Sequence, residues 1–93
     1  MDIAILKTIF TRELEGVEDG NTITLPHGTR VTVFLNTPGG VLPISKVHGV
    51  TIAEGYVSLG SDEGRLFTEI AAIAAVRADQ EARNARDGRV GFS

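Results

Sequence analysis

This chain has no cysteine and no tryptophan, and aromatic residues make up only 5% of its 93 positions. The absence of cysteine excludes disulfides, thiolate metal sites and a cysteine nucleophile. No apolar run approaches the roughly 18 residues that a membrane-spanning helix requires. The first residues, MDIAILK, place an acid and no basic residue before the apolar positions, unlike a secretory signal. We therefore expect a cytoplasmic protein that does not associate with membranes.

Basic residues are also few. Nine of them face 12 acidic residues, which gives a net charge of −3. A protein that binds duplex DNA usually presents a broad basic footprint, so this composition argues against duplex DNA as a partner. Most of the basic residues are arginines, which form forked contacts with phosphate and stack on bases. A local patch for a single-stranded nucleic acid remains open.

The length predicts one small domain over residues 1–93. A chain of this size buries only roughly 60% of its unfolded surface, so its core is thin. Because disulfides are excluded and no metal-ligand set is visible, association with copies of itself is the remaining common way to bury more apolar surface. We therefore predict a homo-oligomer.

The run from Val47 to Val76 is the most informative segment. Short stretches of alternating apolar and polar residues are separated by short glycine-containing turns, which is typical of a meander that closes into a barrel. We predict a mainly β protein, a small and strongly bent SH3-like or Sm-like barrel of about five strands. In this run the predicted strands are Val47 to Glu54, Tyr56 to Leu59, Arg65 to Ile70 and Ile73 to Val76, with a short turn or a single 3₁₀ step that begins at Ala71-Ala72.

Two further segments upstream alternate in the same way. Thr22 to Leu25 and Thr29 to Leu35 flank Pro26-His27-Gly28, in which proline presets φ and glycine accepts a positive φ. This pattern predicts a hairpin. Val41 to Ile44 contains Pro43 and is predicted to be a connection or an edge segment, because proline cannot donate to a sheet ladder.

Both ends of the chain are harder to assign. The isoleucines and threonines of residues 3–11 favour a strand, but a helix stays an alternative, because one helix face would contain Ile3, Leu6, Phe10, Leu14 and Val17. At the other end, a charged helix is predicted from about Arg77 to Arg86, followed by a frayed tail to residue 93.

Residues with catalytic chemistry do not form a recognisable motif. His27 and His48 lack the spacing of HxxxH or HExxH metal sites. The serines at positions 45, 58 and 61 lack the GxSxG nucleophile elbow, and no glycine-rich segment matches a phosphate-binding loop. We predict a protein that is not an enzyme and that needs no cofactor or metal.

Over about residues 47–76 the pattern resembles the Sm-like family. Gly49 in an early strand, the bend at Glu54-Gly55 and the return strand Tyr56 to Leu59 are similar to the family's first motif. The turn Ser61 to Gly64 and the strands after it are similar to its second hairpin. The resemblance implies a strongly bent barrel that assembles into rings, and a family whose members bind single-stranded RNA.

The chain departs from the residues that read RNA in that family. Gly55 and Leu59 stand where the family's aspartate and asparagine are expected, and Ile70 is followed by Ala71-Ala72 instead of an arginine-glycine pair. The resemblance therefore implies the ring-forming fold more strongly than it implies the family's RNA pocket.

Two functions from different classes follow. The first is an Sm-like ring that binds single-stranded RNA, with stacking on Tyr56 and phosphate contacts from Arg65, Arg77 or Lys46. The second is a homo-oligomeric structural or adaptor module without nucleic acid, assembled through the edges of its strands. The residues predicted for the interface between copies are Tyr56, Val57, Leu59, Leu66, Thr68 and Ile70.

Overall fold

The computed structural model describes residues 1–79, which form one curled antiparallel sheet with a short helix at its N-terminal end. This confirms the predicted mainly β class. Helix α1 (Ile3–Thr8) runs into a π-helical turn (Ile9–Glu13), and a 3₁₀ turn (Ile70–Ala72) precedes the last strand. The strands are β1 (Val17–Asp19), β2 (Thr22–Thr24), β3 (Arg30–Thr37), β4 (Gly40–Ile52), β5 (Val57–Ser61), β6 (Gly64–Thr68) and β7 (Ile73–Asp79).

Strand β4 is the long central strand of the sheet. Val47 pairs with Val31 of β3 and with Ser61 of β5, so β3 and β5 lie on opposite edges of β4. Val50 pairs with Ile23 of β2 and with Leu59 of β5, so β2 lies on the same edge as β3. Strands β7, β3, β4, β5 and β6 form a strongly curled half-barrel, and the β1–β2 hairpin extends it.

Irregular pairing bends the sheet near the middle of β4. The register shifts between Val31 and Val33 against β4, and again between Val47 and Gly49 against β5. Lys46 lies beside these shifts with a φ of +60°, which is rare for a residue with a side chain. Such bulges increase strand twist and turn neighbouring side chains. These bulges bend β4, so that its first part pairs with β3 and its last part pairs with β2 and β5.

The core lies on the concave side of the sheet, where alternate residues of the strands point inward. Leu6 and Phe10 from the helical segment cover its open side, and both are fully buried. The other buried apolar residues are Ile23, Leu25, Val31, Val33, Leu35, Val47, Val50, Val57, Leu59 and Ile73.

The strand favoured for residues 3–11 is wrong, and the helical alternative is confirmed. Asp2 caps the helix, with the Ala4 N–H donating to its Oδ1 at 3.4 Å. Leu6 and Phe10, one helical turn apart, reach the core, whereas Ile3 and Ile5 stay exposed. Burial of one helix face outweighs the β propensity of isoleucine in this segment.

The predicted hairpin between Thr22 to Leu25 and Thr29 to Leu35 is also wrong, although strands lie in both segments. Strand β2 pairs with β1 and β4, while β3 pairs with β4 and β7. Val41 to Ile44 is the first part of β4. Pro43 is tolerated there because that part of β4 has β3 on one edge and no other described strand on the other.

The predicted 3₁₀ step and the strand from Ile73 are confirmed. The predicted start of a helix at Arg77 is wrong, because β7 continues to Asp79 and Arg77 pairs with Thr32 of β3. Pairing with β3 outweighs the helix propensity of the alanines here. The rest of that predicted helix and the tail, residues 80–93, lie outside the described residues. No helix within residues 1–79 is long and apolar enough to cross a membrane.

Candidate nucleic-acid interface

A shallow depression crosses the outer face of the sheet where β2, β4, β5 and β6 lie side by side. In one row across these strands, Thr24 pairs with Gly49, Gly49 with Gly60, and Gly60 with Arg65. Two glycines in adjacent strands leave the backbone uncovered at this point. The depression has a volume of about 290 Å³. It is lined by Thr22, Thr24, His48, Gly49, Val50, Thr51, Ser58, Gly60 and Arg65.

The next row on the same face of these strands, two residues away, carries hydroxyl groups. Thr22 pairs with Thr51, Thr51 with Ser58, and Ser58 with Phe67. The Oγ1 atoms of Thr22 and Thr51 share a hydrogen bond of 3.0 Å. The Ser58 hydroxyl is buried and accepts a hydrogen bond of 3.1 Å from Arg65 Nε. The floor therefore offers hydroxyl oxygens and bare backbone instead of bulky side chains.

Neither the backbone conformation nor the packing at position 60 requires a glycine. Gly60 does not have a positive φ, and a Cβ at this position would lie 3.6 Å from the nearest atom, His48 Cε1, an ordinary contact distance. At Gly16, by contrast, a Cβ would lie 2.6 Å from the Phe10 carbonyl oxygen, so packing demands glycine there. A glycine within a strand marks a bulge, a tight bend, or a site where a ligand or another backbone approaches closely. The missing side chain of Gly60 keeps the depression open.

An aromatic and cationic cluster lies beside the depression: Arg65 lines it, and Phe67 pairs with Ser58, another residue of the lining. The Phe67 ring is 60% exposed and meets the Tyr56 ring edge-on, with 6.3 Å between centroids and an interplanar angle of 60°. The Arg65 guanidinium lies 5.1 Å from the centre of the Phe67 ring. Arg65 makes no ion pair within residues 1–79. Its charge is therefore held in place by Ser58 and Phe67 without being neutralised by a carboxylate.

The structure brings two of the four predicted RNA-binding residues together. Tyr56 and Arg65 both flank Phe67, whereas Arg77 and Lys46 do not line the depression. Arg77 lies on β7, where its Nε is 3.3 Å from Asp79 Oδ1 and its guanidinium lies 5.5 Å from the Phe34 ring centre. Lys46 is exposed at the bulge of β4.

Sequence reasoning did not select Phe67. Its position in an alternating strand matches an ordinary sheet residue, and only its exposure beside Tyr56 and Arg65 distinguishes it. A signal is present in the sequence: Phe67 alternates with Leu66 and Thr68 in the predicted strand Arg65 to Ile70, and this alternation places it on the face opposite to theirs.

The predicted interface residues differ in their availability. Val57 and Leu59 are fully buried in the core of this chain, so their side chains cannot contact a second copy without unfolding the barrel. Leu66 and Ile70 are half-buried and pack against the same core, and Thr68 is half-buried as well. Of the predicted set, Tyr56 alone is exposed, and its ring contacts Phe67.

Most of the predicted interface residues lie on β5 or β6, and only one of these two strands has a free edge. Both edges of β5 are taken, one by β4 and the other by β6, so β5 cannot pair with another copy. Within residues 1–79, β6 pairs only with β5 and β7 only with β3. The edges of β6 and β7 are therefore unpaired within the described part of the chain, as are those of the three-residue strand β1 and of the first part of β4.

Within residues 1–79, no group of three or more histidine, aspartate or glutamate residues is arranged to hold a metal ion. Comparison with protein-family models, with curated proteins and with solved structures finds no match for this chain. The Sm-like resemblance thus stays a prediction.

Proposed function

We propose that this protein binds single-stranded RNA in the depression over β2, β4, β5 and β6. The observation that carries the proposal is the exposed Phe67 ring beside Tyr56 and the Arg65 guanidinium, at the edge of a floor made of glycines and hydroxyls. Proteins that bind single strands combine aromatic rings, on which bases stack, with cations that follow the backbone.

The lining of the depression favours RNA over DNA. Thr22, Thr24 and Thr51 line it with hydroxyl groups, which can donate to or accept from a ribose 2′-hydroxyl. Its volume of about 290 Å³ is at the low end of small-ligand sites, which run from about 300 to 1,000 Å³. The site therefore fits a short stretch of strand with its bases splayed out.

Stacking supplies most of the affinity in this proposal, because Arg65 is the one lysine or arginine among residues 1–79 that lines the depression. Each phosphate neutralised on a single strand contributes a slope of roughly −0.7 to the dependence of log K on log salt. We therefore expect binding of a fluorescent oligouridine to weaken only about threefold between 50 and 200 mM salt. Fluorescence anisotropy with the single strand, and with a duplex of the same length as a control, checks this. No anisotropy change at low salt would refute the proposal.

Substitution of Gly60 by alanine tests the floor of the depression. The methyl group fits without a clash, so Gly60→Ala is expected to keep the fold and to gain up to about 1 kcal/mol in the free energy of unfolding. The same methyl occupies the space of the ligand, and we expect RNA affinity to fall about tenfold.

The matched control for this variant is Gly39→Ala. Gly39 lies between β3 and β4, away from the depression, and a Cβ there would have 3.9 Å to its nearest neighbour. Urea denaturation and RNA anisotropy on both variants separate stability from binding. Equal affinity in Gly60→Ala and the unmodified protein would show that RNA, if bound, lies elsewhere.

Self-assembly is the second proposed function, and the unpaired edges of β6 and β7 are the observation that favours it. An exposed strand edge presents free N–H and C=O groups to another chain. Pairing of β6 of one copy with β7 of the next would be head-to-tail and would close into a ring if the rotation permits. Light scattering at micromolar concentration measures the mass. A mass of 9.9 kDa, that of one chain, would rule this function out.

A further inference from the structure

The depression continues past His48 into a second hollow. Thr24 and His48 line both spaces, so the two share a border. The second hollow has a volume of about 310 Å³ and lies at the end of β2, outside the row of glycines. Its lining consists of Thr24, Leu25, Pro26, His27, Arg30 and His48. A strand of RNA lying over the glycine floor would be able to run on into this hollow.

One carboxylate oxygen lies near two side-chain nitrogens beside this hollow. Arg30 Nε is 2.9 Å from Asp62 Oδ1, and His48 Nε2 is 3.9 Å from the same oxygen. Arg30 also donates from an Nη atom to the Thr29 carbonyl at 2.9 Å, which orients its guanidinium. The guanidinium binds this oxygen and the imidazole lies close to it, so a phosphate oxygen can occupy the same place.

The carboxylate belongs to a turn and not to a strand. Asp62 lies in the β5–β6 turn, and its side chain is 42% exposed. Its backbone N–H donates to the Lys46 carbonyl at 3.1 Å, so the turn stays in place when the side chain rotates. An exposed ion pair of this kind is weak, and a phosphodiester can displace it at little cost.

We propose that Arg30 and His48 form a phosphate-binding subsite at the end of the depression and that Asp62 occupies it in the free protein. The assignment of its ligand as an RNA backbone phosphate rests on the proposed function; the affinity of the subsite for phosphate does not. Asp62 then acts as a competitor that an incoming phosphate must displace.

The experiment uses inorganic phosphate and the side-chain NMR signals of the two histidines, with His27→Asn to assign them. In Asp62→Asn the competing charge is gone, and we expect phosphate to shift the His48 ring signals saturably, with an affinity about three- to tenfold above that of the unmodified protein. Adding Arg30→Gln to that variant should abolish the gain.

The control is Glu63→Gln, which removes the same charge from the same turn without touching the pair. Glu63 makes no ion pair within residues 1–79. If Glu63→Gln raises phosphate affinity as much as Asp62→Asn does, net charge alone explains the effect and the subsite is refuted. Absence of a His48 shift in Asp62→Asn also refutes it.

RNA anisotropy on the same variants separates this proposal from the function on which its ligand rests. If the subsite and the function are both right, Asp62→Asn binds oligouridine about three- to tenfold more tightly than the unmodified protein. Phosphate binding at His48 without any RNA binding would uphold the subsite and refute the RNA function. RNA binding with no response to Asp62→Asn and no His48 shift would refute the subsite alone.

Discussion

Replacing Phe67 by alanine is expected to weaken binding of single-stranded RNA about tenfold to a hundredfold. Stacking of one base on an aromatic side chain contributes roughly 1–3 kcal/mol by alanine substitution, and about 1.4 kcal/mol corresponds to tenfold in affinity. The ring is 60% exposed, so its removal exposes little core, and the lost contacts with Tyr56 and Arg65 are expected to lower the free energy of unfolding by only about 1 kcal/mol. Anisotropy and urea denaturation measure the two quantities.

Two further variants identify the cause of this loss. Val41→Ala truncates a side chain of similar exposure, 61%, that lies outside the depression, and it should leave RNA affinity unchanged. Phe67→Trp keeps a flat ring and should retain binding, because stacking needs a π face and not a particular ring. An equal effect of Val41→Ala and Phe67→Ala, or full affinity in Phe67→Ala, would remove Phe67 from the site.

The second large effect concerns the helix that covers the core. We expect Phe10→Ala to lower the free energy of unfolding by about 3–5 kcal/mol, the range for removal of a buried aromatic side chain. Phe10 is fully buried between the π-helical turn and the sheet. Domains of this size have about 5–15 kcal/mol of stability in total, so the loss is a large part of it. Urea denaturation followed by circular dichroism gives the value.

Ile5→Ala is the control on the same helix. Ile5 is 52% exposed and alanine is the better helix former, so this variant should be neutral or slightly stabilising. If Phe10→Ala unfolds the protein outright, Phe10→Leu retains most of the apolar volume and allows the measurement at a smaller loss. A cost of Phe10→Ala no greater than that of Ile5→Ala would mean that the helix does not belong to the core.

The two substitutions act on opposite faces of the same sheet. Phe10 packs against the concave side, whereas Phe67, Gly60 and the hydroxyl row lie on the outer side. We therefore expect Phe10→Leu to lower the free energy of unfolding and to leave RNA affinity unchanged. Phe67→Ala should act mainly on RNA affinity. Such independence holds for sites without shared contacts.

Strand locations after Val47 were predictable because their signal is local. Alternation along Val50 to Ile52 and along Leu66 to Thr68 indicates which residues face the core, whereas the bulge between Val47 and Gly49 interrupts it. The 3₁₀ step before Ile73 follows from the same kind of signal. In these segments the local preference and the tertiary structure agree.

Features that depend on contact between distant segments were predicted wrongly or not predicted. The β1–β2 hairpin was not predicted, because Val17 to Asp19 is short, acidic and exposed. The pairing of β2 with β4 was missed because alternation shows a face and not a neighbour. Helix α1 was not preferred because isoleucine favours strands, and only the burial of Leu6 and Phe10 against the sheet decides for a helix.

In the candidate site, too, residue type was predictable from the sequence and spatial arrangement was not. Tyr56 and Arg65 could be selected from residue type alone, since aromatic rings and guanidinium groups suit bases and phosphates. Their convergence on Phe67, and the distance of Arg77 and Lys46 from that cluster, depend on which strands are neighbours. Residue type names the chemistry, but position in the sheet decides which groups act together.

The sequence by itself determined a small β-rich domain without disulfides or metal-binding thiolates, and it determined the inner and outer faces of the later strands. These properties follow from composition and from a period of two residues, both of which are local. Only the tertiary structure decided the helix over the core, the partners of β2 and β3, and the depression over Gly49 and Gly60. Those depend on register between strands far apart in the chain, where a slip of one residue would turn every side chain to the other face.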